Sequence, residues 1–405
     1  MKILHTADWH MNDTLGRVDR SVDIYHALER IAAYLEEYRV DVMLVAGDLF
    51  SEPARPEKMR AAVAEIRRIF LPFLERGGTV LTISGNHDSE VFFETLRDAL
   101  DLVAPGRAKA DGSHGTGRFY VAPNPVLRTL TDGKGALVQF VLMPYPTARC
   151  YLRGEDMAYR SVEEKHAAIQ RAFVQTLKRL EGTVDPRFPC VLVSHVHIRG
   201  AKVHSSYRVT EADDVVFEPA DIPAHWAYVA YGHIHKPQAA LPGATHVRYA
   251  GSIERLDAGD GAENKSVVLC EIGPHGLVGE PTLLPLASTP IYRIEITDPD
   301  MQISELATTY PDAQRALVHY TLHYRPGTHD HDALCRRIQE VFPRWYGREL
   351  HELGAGGAAV TFTPQQLGDV AGTVRSYLVT RLVKHPDRTD LFALADALLA
   401  EEVPS

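Results

Sequence analysis

Val80-Leu81-Thr82-Ile83-Ser84-Gly85-Asn86-His87-Asp88 is the stretch that decides how this chain is read. A short, largely apolar run stops at a glycine, and an amide, an imidazole and a carboxylate follow at once. A run of this length ending at a glycine reads as a strand. Polar residues just past its carboxyl end fall in the crevice where ligands collect in α/β sheets. Outward from this point the pattern recurs. Lys2–Ala7 leads to Asp8-Trp9-His10, and Val40–Ala46 leads to Gly47-Asp48. Cys190–Ser194 leads to His195-Val196-His197, and Ala227–Tyr231 leads to Gly232-His233-Ile234-His235.

Residues i and i+2 of an extended segment point the same way, so Asp8 with His10, and His233 with His235, can face one site. Glycines before Asp48, Asn86 and His233 let the backbone leave the strand sharply. A single histidine or aspartate after a strand is more often a satisfied polar residue than a ligand. Five strand ends carrying D-x-H, G-D, G-N-H-D, S-H-x-H and G-H-x-H are not a chance set. Carboxylate, imidazole and amide oxygen together suit manganese, iron or zinc, and the absence of cysteine from the set disfavours a zinc–thiolate structural site. A carboxylate such as Asp48 can bridge two cations about 3.5–4 Å apart, a pair suited to in-line displacement at phosphorus.

The strand and helix patterns alternate through the first 290 or so residues, which predicts a layered α/β/α arrangement. Further strands are expected at Thr79–Ser84, Leu137–Met143, His246–Ala250 and Ser266–Ile272, and helices at Ser21–Tyr38, Glu57–Glu75, Phe92–Leu102 and Val162–Leu180. Leu283–Pro290 reads as a linker, since it has two prolines and no periodicity. After it, Ile291–Thr297 and Arg315–Tyr324 alternate like strands, Asp330–Phe342 is helical, and Gly354-Ala355-Gly356-Gly357 punctuates the chain. Thr363–Lys384 and Asp387–Glu402 then form a helical pair. The expected domains are a catalytic domain over 1–287, a small α+β capping domain over 288–353, and a linker with paired helices over 354–405.

Composition sets limits. The chain has 405 residues, 45% hydrophobic and 24% charged, ordinary for a globular protein. No apolar stretch is long enough for a membrane helix, and charge arrives too early for a signal peptide, so no membrane association and a cytoplasmic location are expected. Cys150, Cys190, Cys270 and Cys335 are widely spaced and read as reduced thiols. The net charge of −10 is unlike a stand-alone, tight DNA binder, although bound cations can supply the positive charge that a phosphate needs.

These motifs resemble the calcineurin-like metallophosphoesterases and, more narrowly, the SbcD-type nucleases that work with the ATPase SbcC in DNA break repair. The narrower likeness rests on His5-Thr6-Ala7-Asp8-Trp9-His10, Ala46-Gly47-Asp48-Leu49-Phe50, Ser84-Gly85-Asn86-His87-Asp88, Tyr231-Gly232-His233-Ile234-His235 and Tyr249-Ala250-Gly251-Ser252-Ile253-Glu254-Arg255. The resemblance implies two manganese ions, one held by Asp8, His10 and His235 and one by Asn86, His195 and His233, with Asp48 shared. It implies that His87 acts on the phosphate rather than ligating, and Asp88 is expected to orient His87. It implies 3′→5′ exonuclease action on double-stranded DNA and endonuclease action on single strands. One position departs from the pattern: Ser51 stands where several family members have a histidine. His197 has no family role and reads as a solvated loop residue.

Arg55, Lys58 and Arg60, and further on Arg149 and Arg153, are candidates for DNA backbone contact. Phe92 and Phe93, adjacent on a helix, are not expected to share one core, so one of them should meet another surface, as in a homodimer. The last two helices, with Val374, Leu378 and Leu382 and then Leu391, Leu394, Leu398 and Leu399, suit docking onto the coiled coil of an SbcC-type ATPase. Two rival readings keep the same core: a phosphodiesterase acting on small nucleotides, and a catalytically silent scaffold bridging DNA ends.

Overall fold

The structure is a computed structural model that describes residues 1–51, 55–103, 114–152, 159–203, 214–223, 225–353, 375, 378–379 and 388–402. Two six-stranded sheets face one another. In the first, the strands Lys2–Thr6, Val42–Val45, Thr79–Ile83 and Phe119–Ala122 run parallel, and Lys265–Gly273 and Gly276–Leu286 complete it antiparallel. In the second, Leu137–Met143, Cys190–His195, Tyr228–Gly232 and Ala244–Tyr249 run parallel, flanked by Val126–Thr131 and Gln238–Leu241. The α/β sandwich therefore has a doubled β layer.

Alternation along each strand sorts side chains between layers. Leu4, Met43, Val45 and Val80 pack outward against Ile24, Leu28 and Ile31 of helix Ser21–Glu37 and Ile66, Phe70 and Phe73 of helix Pro56–Glu75. Ile3, Val42, Leu44 and Leu81 face the second sheet, meeting Phe140, Val191, Val193 and Ala230. On the far side, Val141, Leu192 and Val229 take Ile169, Phe173 and Leu177 of helix Val162–Glu181. Because both faces of the central strands are covered, those strands read as unbroken apolar runs.

Register positions the site. Thr6 pairs with Val45 and Val45 with Thr82 in one sheet, and Gly232 pairs with His195 in the other, so the carboxyl ends of these parallel strands lie level. The loops that leave them meet at one edge of the sandwich.

One polar tie crosses the apolar interface between the sheets. His5 Nε2 donates to the Tyr231 carbonyl at 3.2 Å, which leaves Nδ1 to accept from the Tyr228 hydroxyl at 3.0 Å. Burial pushes the His5 imidazole down to about 3, with Arg248 adding to the effect and the Tyr231 carbonyl opposing it. The unfolded chain therefore takes up a proton below about pH 6.5 that the fold refuses, so His5 removes stability as pH falls. In urea unfolding of the wild type and His5→Gln, the wild type should lose about 2 kcal/mol relative to the variant between pH 7.5 and 5. Parallel pH curves would refute this.

Two sequence expectations change here. Leu283–Pro290 is not all linker, because the strand Gly276–Leu286 runs through its first half. It lies at the sheet edge, where Pro281 and Pro285 interrupt no interior ladder. Phe92 and Phe93 both pack on one core: their rings stand 5.5 and 6.3 Å from that of Phe50, with Phe93 buried and Phe92 half-buried. The cluster around Phe50 reaches the helix from the side and covers two adjacent positions.

The α+β segment has Ile291–Ile296 and Leu317–Tyr324 parallel, with Trp345–Glu352 as the third strand and helices Pro299–Thr309 and His331–Val341 over one face. Asp298 and Asp330 cap the two helices. Arg344 donates to Asp23 of helix Ser21–Glu37 at 3.0 Å, and Asp23 also accepts from the fully buried Arg20 at 2.8 Å.

By mutual contact, Met1–Tyr324 with Asp330–His351 forms one compact unit, and Arg325–His329 with Glu352–Ser405 forms a second. In the second, helix Arg388–Glu402 is described, and Asp396 on it receives both arms of Arg375 at 2.8 and 2.6 Å. The expected glycine-rich linker and most of the helix expected at 363–384 lie outside the described residues. Among the described residues, no helix is long and apolar enough to cross a membrane.

Candidate metal centre

The loops beyond the level strand ends bring all seven candidate ligands to one place. Asp48 Oδ2 stands 3.6 Å from His10 Nε2 and 3.3 Å from His195 Nε2. On one side of it, ligand atoms of Asp8, His10 and His235 lie within 4.8 Å of one another. On the other side, Asn86 Oδ1 lies 3.0 Å from His195 Nε2 and 2.9 Å from His233 Nδ1. One carboxylate oxygen thus sits between two donor sets, the arrangement a shared ligand requires.

The backbone holds these side chains in an unusual conformation. Asp8, His10, Asp48 and His233 all have positive φ, between 47° and 92°. For residues with a Cβ this left-handed region is strained, and such strain concentrates at functional sites. Hydrogen bonds compensate here. Asp8 N–H donates to Gly47 O at 3.0 Å, Trp9 N–H and His10 N–H to Asp48 O at 2.8 and 3.0 Å, and His233 N–H to Asp8 Oδ1 at 3.0 Å. His87 N–H donates to Asp48 Oδ1 at 2.9 Å, which leaves Oδ2 turned toward the imidazoles.

Charge within the site fits a cation. Burial pushes the Asp8 carboxyl up to about 7, the Asp48 charge adding to it and His195 opposing. Burial would lift Asp48 too, but the charge and hydrogen bond of His195, with His10 and His87, hold it well below the ordinary carboxylate range. His195 rises to about 9: its burial works against protonation, and the Asp48 and Asp8 charges overcome that. The three shifts have one origin. Two buried carboxylates side by side draw positive charge, as protons in the absence of anything better, and divalent cations would displace those protons. The donor set and its charge therefore fit metal.

The remaining expectations divide. His87 is half-buried, its ring edge-on to His10 at 4.9 Å, so it stands at the rim where a substrate would arrive. Asp88 does not orient it. The buried Asp88 carboxylate instead accepts from the N–H groups of Gly85 at 2.9 Å, Phe50 at 3.0 Å and Leu49 at 3.3 Å. It braces the Asp48 loop against the Asn86 loop, and burial followed by the Asp48 charge raises its carboxyl to about 7. Ser51 Oγ lies behind His10, 3.4 Å from Nδ1 and 3.2 Å from Asp13 Oδ1.

His197 is not a solvated loop residue: it is buried, with Nδ1 3.2 Å from Asp214 Oδ2. Asp214 escaped the sequence reading altogether, although it accepts from His233 Nε2 at 2.7 Å. The only local signal for it is a carboxylate just before the short strand Val216–Phe217. Lys265 was missed as well; its fully buried Nζ donates to the His235 carbonyl at 3.0 Å. Arg55, Lys58 and Arg60 are exposed, Lys58 pairing with Asp19 at 3.3 Å. Arg149 is paired with Glu90 and Glu94, and Arg153 lies outside the described residues.

Fold and site together define a class. The calcineurin-like phosphoesterase pattern matches residues 1–237, more than half of the chain, and the chain belongs to that family. It is a metal-dependent phosphoester hydrolase. Among its relatives, the SbcD component of the nuclease SbcCD from Bacillus subtilis is 27% identical over 286 residues, 68% of this chain and 67% of that one. The protein of the same name from Staphylococcus epidermidis is 24% identical over 305 residues, 75% of this chain and 73% of that one. A DNA double-strand break repair protein of Aeropyrum pernix is 26% identical over 298 residues, 73% of this chain and 63% of that one. A solved dimetal phosphatase from Danio rerio overlaps 71% of this chain and 99% of its own at 10% identity, with a TM-score of only 0.41.

Proposed function

We propose that this chain is a DNA nuclease using two manganese ions. It would cut double-stranded DNA as a 3′→5′ exonuclease and single strands as an endonuclease, acting in break repair as a homodimer with an SbcC-type coiled-coil ATPase. The observation that carries the reading is Asp48 Oδ2 poised between two donor sets at 3.6 and 3.3 Å. DNA as substrate and the ATPase as partner draw support from relatives named as components of the nuclease SbcCD and as a break repair protein.

Asp8, His10 and His235 would hold one ion and Asn86, His195 and His233 the other, with Asp48 common to both. When bound, the pair supplies Lewis acidity for water activation and for phosphate charge. The chain does the rest. His195 Nδ1 donates to the Ala46 carbonyl at 2.7 Å, which keeps Nε2 facing the donor set as the nitrogen that gives up its proton to a cation. The loop braced by Asp88 sets the His87 ring over the site, where it hydrogen-bonds the phosphate or delivers a proton to the departing 3′ oxygen. Arg55, Lys58 and Arg60 would touch the DNA backbone, which orients a duplex without reading its sequence.

The test uses linear duplex DNA with manganese, beside a generic small phosphodiester. The wild type should degrade the DNA, and His87→Ala should lose about 10²–10⁴-fold in rate while still binding manganese. Hydrolysis of the small diester with intact DNA would replace this reading by a nucleotide phosphodiesterase. Undiminished DNA cutting by His87→Ala would remove His87 from the chemistry.

A further inference from the structure

Behind the imidazoles of the candidate metal centre lies a second polar layer, and its centre is Asp214. The Asp214 side chain is buried, and each of its carboxylate oxygens has two hydrogen-bond partners. Oδ1 accepts from the Tyr145 hydroxyl at 2.9 Å and the Val215 N–H at 2.8 Å. Oδ2 lies within hydrogen-bond distance of His233 Nε2 at 2.7 Å and His197 Nδ1 at 3.2 Å. On the two-metal reading His233 Nδ1 is the ligating nitrogen, so the neutral ring carries its proton on Nε2 and Asp214 accepts it as a carboxylate. The ring of Tyr145 also lies against His233, with centroids 5.6 Å apart, and its backbone N–H donates to Ser84 O just before the Asn86 loop.

The consequence for His233 follows from hydrogen-bond chemistry. With Asp214 as its acceptor, the ring proton stays on Nε2, and Nδ1 keeps its lone pair beside Asn86 Oδ1. A full negative charge one hydrogen bond behind the ring makes Nδ1 a stronger electron donor. The other imidazole of that donor set, His195, is backed only by the neutral Ala46 carbonyl. On the other side of Asp48, the His235 backbone carbonyl is backed by the Lys265 ammonium. Of the candidate ligands, Asp214 touches His233, so its charge bears directly on that half of the centre.

We infer that Asp214, steadied by Tyr145 and His197, is a positioning residue that fixes the His233 tautomer and sets the cation affinity of the His195–His233 side of the centre selectively. This rests on the two-metal reading above. Asp214 acts through His233 and needs no contact with substrate.

The experiment is a Mn²⁺ titration of the full chain, followed by the electron paramagnetic resonance signal of free Mn²⁺, with circular dichroism as the folding check. The wild type should take up two ions. Asp214→Asn should keep one at wild-type affinity and bind the other about 10–100-fold more weakly. In turnover, the Mn²⁺ concentration for half activity should rise while kcat returns at saturating Mn²⁺, a split that general loosening of the fold does not produce. Tyr145→Phe keeps the ring and loses one donor, and it should weaken the same ion by less than about tenfold. Should Asp214→Asn fail to fold, Tyr145→Phe decides alone. Two wild-type affinities in the folded variants, or equal weakening of both ions, would overturn the inference and leave the two-metal reading standing. A wild type that binds fewer than two ions would overturn that reading itself, and this inference with it.

Discussion

Asp48→Ala is expected to abolish catalysis, lowering kcat by about 10³-fold or more, the loss of about 4 kcal/mol of transition-state stabilisation. The reason is the number of jobs that one carboxylate performs. Its Oδ2 lies between His10 and His195, its Oδ1 accepts the His87 N–H, and its charge holds His195 up near 9. Removing it deprives both donor sets of their common member and frees the loop that carries His87. Alanine at His235, which belongs to one set only, should do less damage to the opposite ion. The measurements are bound Mn²⁺ per chain and kcat at saturating Mn²⁺. A variant that keeps two ions and turns over within threefold of wild type would remove Asp48 from the centre.

Gly85→Ala should come close to the same outcome without touching a ligand. A Cβ at Gly85 would stand 2.1 Å from Asp48 Oδ1 and 2.5 Å from Asp48 N, both well inside van der Waals contact. Neither atom can yield cheaply, because Asp48 is buried and the loop on either side is tied to Asp88. The expected cost is about 1–3 kcal/mol of stability from overpacking. A shift of about 1 Å in Asp48 adds a loss of about 10²-fold in rate. Gly133→Ala is the control, since a Cβ there meets nothing within 4 Å and should change neither quantity. Equal activity of the two variants would show that the Asp48 loop adjusts freely.

The candidate centre was legible because its parts are local. Each of Asp8, Asp48, Asn86 and His233 follows a buried strand within a few residues and His195 ends one, and parallel pairing forces such positions to one edge. The strands with weak patterns were not legible. Phe119–Ala122 and Gln238–Leu241 have four residues each, too few for a period to show, and Pro285, with Pro290 just beyond the strand, makes the end of Gly276–Leu286 look like a linker. The doubled β layer was equally hidden, because a strand covered by a second sheet and one covered by a helix carry the same apolar run.

Side-chain environment was harder still. His197 was read as solvated and one of Phe92 and Phe93 as facing away from the core, yet His197 is enclosed with Asp214 and both phenyl rings pack on Phe50. Asp88 was assigned to the neighbouring His87 and serves three backbone amides instead.

By itself, the sequence determined the layered α/β class, the strands whose ends carry polar residues, and the set of side chains able to meet there, since period and spacing are properties of neighbouring residues. Only the tertiary structure decided which oxygen of Asp48 faces both donor sets, and that Asp214 stands behind His233, 19 positions away. Those facts depend on how loops from separate strands pack against one another, and no local pattern encodes a distance between them.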